Sequence, residues 1–469
     1  MRTHDQRTIE GDLFKAFVAA GAISKANADD PKKSSFVRCA RTDKGVHAAG
    51  NVISLKLIVE DEDVVPKINK NLDSRIRVWG YQRTNNSFSA YQLCDSRIYE
   101  YLIPTYSFLP PHPHSYLGRK LAEAARDQND EEGWTSRQAE VSSFWEAVDA
   151  DRIRPILDAY DEPTRKLLEE ALYLRSASTM VDDVEGPGFD EEDNRLEGNQ
   201  HVQKRTHGAS SISEMPRREV EELMEQVDPV TGDQKESENM LAGHDSDIRE
   251  VDETALLVKA NELSKLTTAV AGDALETTKQ KKMTVHLQDL RRLRGEYVAA
   301  RRAYRISAAR LDQIQVCLDA FIGTRNHHNY TIGKKFNDAS AQRLIKSFRL
   351  DPTPILIDGM EWLSLKVHGQ SFMMHQIRKM VGMVALVVRC GCDPKRVQEA
   401  FGPQPISIPK APGLGLLLER PVFDTYNKRA KGDLGKEPLD FDKYKEEMDE
   451  FKRTEIYQRI YREEEEKNM

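Results

Sequence analysis

Between residues 181 and 255 the chain carries 22 acidic and 7 basic side chains and almost no aromatic ring, and this span limits how the rest can fold. A segment so polar buries too little apolar surface to offset the entropy of ordering it, so its composition predicts disorder. Any core must then be assembled from the two flanks, one ending near 180 and the other starting near 256. The span also explains the charge. The 469 residues carry a net −8, and without the acidic stretch the remainder carries about +7. A mildly basic remainder suits a surface that binds phosphates.

Hydrophobic content of 39% and a mean hydropathy of −0.64 fit a chain part of whose length stays unpacked. No apolar run approaches the roughly 18 residues of a membrane span, and Met1-Arg2-Thr3-His4-Asp5 begins no signal peptide, so a soluble intracellular protein is expected. Five cysteines, an odd number, fit reduced thiols. Cys390-Gly391-Cys392 has no second Cys or His group at zinc-ligand spacing, so no metal is expected.

In the N-terminal flank, Thr8 can cap a helix built on Ile9, Leu13 and Phe17, with Gly21 ending it. The segment Arg38-Cys39-Ala40-Arg41-Thr42-Asp43-Lys44-Gly45-Val46-His47-Ala48 follows, between two β-prone runs at 35–37 and 52–57. It holds a lone carboxylate, Asp43, between Arg41 and Lys44, and Gly45 gives the backbone room to turn. Alone, Asp-Lys-Gly reads as an ordinary hairpin turn. Residues 64–72 read as a helix, and 76–81 and 96–103 as strands. This order of helices and strands predicts a ferredoxin-like α+β half over 1–118. Residues 119–180 read as a polar helical insertion, 181–255 as the disordered insertion, and 256–308 as a helical return.

A second half is predicted over 309–431. It contains a helix at 310–321, a polar loop at 323–331, strands at 355–357 and 362–367, a helix at 372–390 capped by Ser371, and a strand at 416–422. Residues 432–469 read as a charged, largely solvated helix. The helix at 372–390 is mostly apolar yet contains Arg378, and a buried guanidinium needs a carboxylate partner. An unrelated structural salt bridge would serve. So would Asp43, whose carboxylate the cation would keep ionised, as a nucleophile or base requires. Tyr99, in Arg97-Ile98-Tyr99-Glu100-Tyr101, is either a strand aromatic or a ring that stacks on a base turned out of its helix. Arg41 is either solvated or a phosphate-binding group beside Asp43. Lys44, His47 and the pair His327-His328 read as cleft-wall residues, and the adjacency of the two histidines argues against a metal site.

The string Ala40-Arg41-Thr42-Asp43-Lys44-Gly45-Val46-His47-Ala48-Ala49-Gly50-Asn51-Val52 resembles the catalytic motif of the TruA family of RNA pseudouridine synthases, in particular its eukaryotic nuclear branch. Gly323-Thr324-Arg325-Asn326-His327-His328-Asn329-Tyr330-Thr331 is similar to the family's Gly-x-His-x-Phe-x-Asn-Phe-Thr region, with Arg325 in place of the usual His. Ala411-Pro412-Gly413-Leu414-Gly415-Leu416 and Phe423-Asp424-Thr425-Tyr426-Asn427 match its C-terminal strings. The resemblance covers 8–118 and 296–428. It implies an α+β fold in which two ferredoxin-like halves form one continuous, mostly antiparallel sheet, with helices packed on it and a central basic cleft.

The implied activity is a cofactor-free isomerisation of uridine in tRNA to pseudouridine, in which the N1–C1′ bond breaks, uracil rotates and C5 joins C1′. By resemblance Asp43 is the catalytic residue, Arg378 the basic residue that contacts it, Tyr99 the ring over the target base, and Arg41 a group acting on the flipped nucleotide. Lys44, His47 and His328 are counted with the substrate-binding residues. Whether Asp43 attacks the sugar, attacks the base or removes a ribose proton stays open. A monomer acting on tRNA in the nucleus is expected, with no membrane or nucleotide cofactor. Other RNAs and the mitochondrion stay open, since Lys279-Gln280-Lys281-Lys282 is a weak import signal.

The family begins with a strand and a Gly-Tyr-x-Gly-x-Gln-like segment ahead of the first helix, and here only Met1 to Arg7 precede Thr8. A chain starting there is expected to lack a core strand and part of the cleft rim. That keeps a second reading, a catalytically impaired RNA-binding protein or tRNA folding helper. A scaffold built on the acidic insert and tail ranks last.

Overall fold

The computed structural model describes residues 8–28, 30–173 and 274–467. The chain divides into two compact units, Met1–Gly186 with Leu290–Met469, and Pro187–Asp289. Of the second unit the described residues are 274–289, all helical. The acidic span 181–255, residues 1–7 with the strand expected ahead of Thr8, and residues 256–273 of the helical return lie outside the described residues, as do the side chains of 279–282.

In the first unit the Thr8 hydroxyl accepts from the Gly11 amide at 3.1 Å and starts α1 (Ile9–Ala19), and Gly21, at φ 75°, turns the chain after it. Strands β1 (Val37–Arg38), β2 (His47–Ala48) and β3 (Ile53–Ser54) follow, then α2 (Val64–Lys70). β1 and β3 form a small antiparallel sheet of their own. The strand expected at 76–81 is absent. The Asn69 amide side chain exchanges two hydrogen bonds with the Val78 backbone, each 2.8 Å, and Trp79 Nε1 donates to the Ala49 carbonyl. Side-chain hydrogen bonds thus do there what a neighbouring strand would have done.

β4 (Ser96–Pro104) comes next, followed by the helical insertion α3 (Tyr116–Asp127), α4 (Glu131–Gln138), α5 (Phe144–Val148), α6 (Arg154–Leu157) and α7 (Glu162–Tyr173). Leu290 and Leu293 of α8 (Ala274–Ala303) pack with Ile153, Leu157 and Leu168 of the insertion. Arg310 of α9 (Ala308–Asp319) is fully buried and fastens that insertion to the core. Its guanidinium donates to Glu140 at 2.6 Å, to Gln138 at 2.7 Å and to the Phe108 carbonyl.

The remaining elements are β5 (Gly323–Asn326), β6 (Gln342–Leu350), β7 (Ile355–Ile357), β8 (Met360–Gly369), α10 (Gln376–Arg389), α11 (Lys395–Glu399), β9 (Leu416–Val422), α12 (Asp424–Gly432), α13 (Lys445–Phe451) and α14 (Gln458–Lys467). The main sheet runs β2-β9-β4-β8-β6-β5, with β7 beside β8, and is antiparallel except for the β2–β9 pair. The fold is α+β. Residues 323–331 are not a polar loop as expected, because their first part is strand β5 and Asn326 to Thr331 are buried. β6 escapes a simple alternation rule because a register shift between Ile345 and Ser347 breaks its period, placing buried Ile345 and Phe348 three residues apart.

The sheet has a core on each face. In front, Tyr99, Tyr101 and Ile103 of β4 pack with Ile345, Leu365 and Val367 against Ile314 and Leu318 of α9 and Met380, Val381 and Val384 of α10. Behind, Leu102, Trp362 and Leu417 pack against Met448, Ile456, Ile460 and Tyr461 of the C-terminal tail. The tail is therefore docked, not solvated as its charge suggested. A π-helical stretch, Lys452–Tyr457, resets the helical phase and hides the apolar stripe from a period-3.6 reading. Lys452 Nζ sits 3.0 Å from both Glu100 of β4 and Glu419 of β9, clamping the two strands from behind.

Candidate active site

The loop carrying Asp43 passes from the small sheet, at β1, into the main sheet, at β2. Its first limb is fixed by its backbone. The Cys39 amide donates to the Val52 carbonyl at 2.8 Å, Arg97 Nη2 donates to the Cys39 carbonyl at 3.1 Å, and Asn51 Nδ2 donates to the Ala40 carbonyl at 3.1 Å. At the tip Gly45, with φ 79°, lets the Val46 amide return to the Asp43 carbonyl. Asp43 is held out from a rigid base, its carboxylate about one-third exposed.

Facing it is the start of α10. The expected helix from Phe372 begins four residues later, at Gln376. His375 precedes it in the left-handed region, φ 57°, which an L-residue other than Gly, Asn or Asp adopts at a cost. The Gln376 side chain accepts from the Met373 amide at 2.8 Å and supports this turn. The turn aims the buried His375 ring at the loop, and its Nδ1 lies 2.9 Å from Asp43 Oδ2. That hydrogen bond is the largest influence holding the Asp43 carboxyl below the ordinary aspartate range. Burial opposes it, and the charges of His375, Arg378 and Lys410 add to it.

The direct Arg378–Asp43 ion pair expected from the sequence is replaced by this arrangement. Arg378 is buried one turn into α10, its Nε donates to the Ala411 carbonyl at 2.7 Å, and its Nη1 lies 3.5 Å from His375 Nδ1. A proton on Nδ1 serving Asp43 leaves no lone pair there for Arg378, so the guanidinium acts on the carboxylate through its field, behind the histidine. The 409–415 loop closes this side. Tyr101 donates its hydroxyl proton to the Pro412 carbonyl at 2.8 Å, and a Cβ on Gly415 would come within 2.5 Å of the Leu102 carbonyl. Gly415 therefore lets the loop lie against β4.

Tyr99 stands on the same front face of β4, buried, edge-on to Phe372 with ring centres 5.3 Å apart. Burial pushes its hydroxyl up to about 12, partly opposed by Arg97, and the Asp43 charge adds to the rise. Arg41 and Lys44 are exposed beside Asp43.

The histidines depart from expectation. His47 pairs in parallel register with Leu417, whose side chain lies in the rear core, so strand alternation sends His47 behind the sheet. There burial, with Arg459 adding and Glu463 opposing, pulls it down to about 4. It belongs to the docking of the tail and not to a cleft wall. His327 lies in an aromatic cluster with Phe321, Tyr330 and Phe401. His328 is buried edge-on to Phe336, with neither ring nitrogen partnered among the described residues. The sequence reading missed His375, Lys410 and Phe372. A histidine three residues before a buried arginine was the available signal, but its reach to Asp43 depends on the left-handed turn ahead of α10.

An ionised carboxylate in an accessible setting, next to a buried aromatic ring, is the equipment of an enzyme, and no cluster of metal-ligating side chains occurs among the described residues. No helix among those residues is long and apolar enough to cross a membrane. Residues 318–424 match the tRNA pseudouridine synthase family. Over 460 residues the chain is 41% identical to tRNA pseudouridine synthase 1 of Yarrowia lipolytica, spanning 98% of this chain and 67% of that protein. It is 38% identical to tRNA pseudouridine synthase 1 of Schizosaccharomyces pombe over 470 residues, 99% and 77% of the two chains. The tRNA pseudouridine(27/28) synthase of Saccharomyces cerevisiae is 30% identical over 464 residues, 99% and 90% of the two. The chain belongs to the TruA family of tRNA pseudouridine synthases.

Proposed function

We propose that this chain isomerises uridines in tRNA to pseudouridines with Asp43 as the catalytic group. In the reaction the N1–C1′ bond breaks, the freed uracil turns, and C5 bonds to C1′. The proton on C5 is lost and one is gained at N1, so the change is balanced without oxidant, nucleotide or metal. Attack on the sugar, attack on the base and removal of a ribose proton all require an ionised carboxylate. The single observation that carries the reading is the 2.9 Å contact between Asp43 and His375, which favours that form.

Tyr99 supplies the ring against which an extruded uracil stacks, with Phe372 holding it from the side. Arg41 and Lys44, exposed on the loop, meet the neighbouring phosphates. We read the two flanks as ferredoxin-like halves around a basic cleft. The reading is supported by β4 of the first flank pairing on one side with β8 and on the other with β9 of the second.

The test uses tRNA labelled with tritium at C5 of uridine, whose release reports each turnover. Asp43→Asn and Asp43→Ala proteins should release none above background. Their affinity for tRNA should stay within severalfold, since phosphate contacts supply most of the binding energy. Turnover by the Asp43→Ala protein would refute the assignment.

A further inference from the structure

At its outer edge the main sheet ends in β5, and the register of β5 with β6 sets Arg325 directly opposite Arg343. Like charges directly opposite each other cost stability in an antiparallel pair. Carboxylates normally relieve such a pair, yet among the described residues the hydrogen bonds these guanidiniums make run to backbone carbonyls alone. Arg325 Nη1 donates to the Thr324 carbonyl at 3.4 Å and Arg343 Nη1 to the Gln342 carbonyl at 2.9 Å. Arg343 Nε is buried and has no acceptor at all among the described residues. Burial works against the Arg343 charge, and no acid among the described residues pulls the other way. His327, beneath the pair, is pushed down to about 4, by burial first, with both arginines adding to the shift.

The pair lies on the front face, on the rim that leads to Asp43. A row of paired residues, Gly323, Ile345, Gly369 and Arg97, crosses β5, β6, β8 and β4 in turn. Ile345 points into the front core, and Arg343, two residues away, shares its face. At the other end of the row Arg97 holds the Cys39 carbonyl at the base of the Asp43 loop. Three strand spacings separate the two ends, roughly 14 Å. Lys334 and Lys335 are exposed close by, on a loop tied to β5 by the bond from Asn326 Nδ2 to the Phe336 carbonyl at 2.7 Å.

We propose that Arg325 and Arg343 form a phosphate-binding site for the RNA backbone, engaging the substrate strand a few nucleotides from the uridine at Asp43. An unneutralised arginine pair with one member half-buried is unfavourable in the free protein and is relieved when a phosphodiester enters between the guanidiniums, whose forked donors suit phosphate oxygens. The inference rests on tRNA being the ligand but not on Asp43 being catalytic.

The experiment measures tRNA binding by the full-length protein against salt concentration, for the parent and for Arg325→Gln, Arg343→Gln and the double variant. It is repeated in an Asp43→Asn background, so that the result stands whatever Asp43 does. The double variant should bind roughly tenfold more weakly at moderate salt, and its log–log salt slope should flatten by about one to two. The loss should fall on KM for tRNA more than on kcat, and Arg343→Lys, which keeps the charge but not the fork, should lose less affinity than Arg343→Gln. The melting temperature of the free double variant should be unchanged or higher, because repulsion is removed. An unchanged affinity and salt slope would overturn the proposal, and so would a lower melting temperature with turnover lost in proportion, the mark of a purely structural pair.

Discussion

At the scale of single residues, the chemistry rests on a carboxylate whose charge is maintained by a histidine that the backbone strains to present. Asp43 was legible in the sequence because it is the lone acid in a string of basic and small residues, and Arg378 because a charge in an apolar helix demands a partner. The partner itself was not legible. His375 reaches Asp43 because α10 starts late and the residue before it is left-handed, which the residue order does not disclose. Tyr99 was ambiguous for a different reason, since a buried strand tyrosine and a stacking platform look alike in sequence. Its hydroxyl accepts and donates no hydrogen bond among the described residues, so Tyr99→Phe should keep turnover within about threefold. Tyr99→Ala removes the ring. With stacking contributing about 1–3 kcal/mol per base, kcat/KM should fall roughly 10- to 100-fold. A Tyr99→Phe protein as impaired as Tyr99→Ala would mean that the hydroxyl, and not the ring, does the work.

At the scale of elements, β4, α9 and α10 follow from local period and composition, because one face of each is consistently buried. The failures have identifiable causes. A bulge disguised β6, Asn69 replaced the partner of the 76–81 segment, and a π-helical turn concealed the apolar side of the tail. The tail gives the sharpest prediction at this scale. Burial pushes the Glu100 carboxyl up, and Lys452, Ser364 and Tyr457 more than reverse that, leaving it below its ordinary value. A depressed carboxyl stabilises the fold above its unfolded-state pKa and ceases to do so as pH falls through its folded value. Lys452→Met strands two acids behind the sheet and should destabilise the protein by about 3–5 kcal/mol in urea unfolding near neutral pH. Combining it with Glu100→Gln and Glu419→Gln should recover most of that loss, because the neutralised trio no longer leaves a buried charge unpaired. Failure of the triple variant to recover would show that the loss does not come from the stranded acids.

At the scale of the whole molecule, the site exists only where the two flanks meet. The loop of Asp43 comes from residues before the insertions, and His375, Arg378 and Lys410 come from residues after them. The pattern of two flanks around a polar interruption was plain in the composition, and the α+β class in the order of helices and strands. The face on which each histidine would emerge was not, since it depends on strand register across the joined sheet. On compositional grounds, replacing 181–255 with a short flexible linker should leave turnover within about threefold, and a loss of tRNA binding would contradict that. The claim that one flank ionises the catalytic group of the other is tested most directly by the single-turnover pH profile of the His375→Asn protein. Asparagine tolerates the left-handed backbone but brings no positive charge and a shorter reach. The parent should hold its rate from about pH 8 down to about pH 5, since Asp43 titrates below the ordinary range. In His375→Asn the largest influence holding the carboxyl down is lost and the effect of burial is opposed only by Arg378 and Lys410, so the acid limb should move up, with tRNA affinity preserved. Arg378→Met, acting from behind, should shift it less. An acid limb in the same place for parent and His375→Asn would contradict the account.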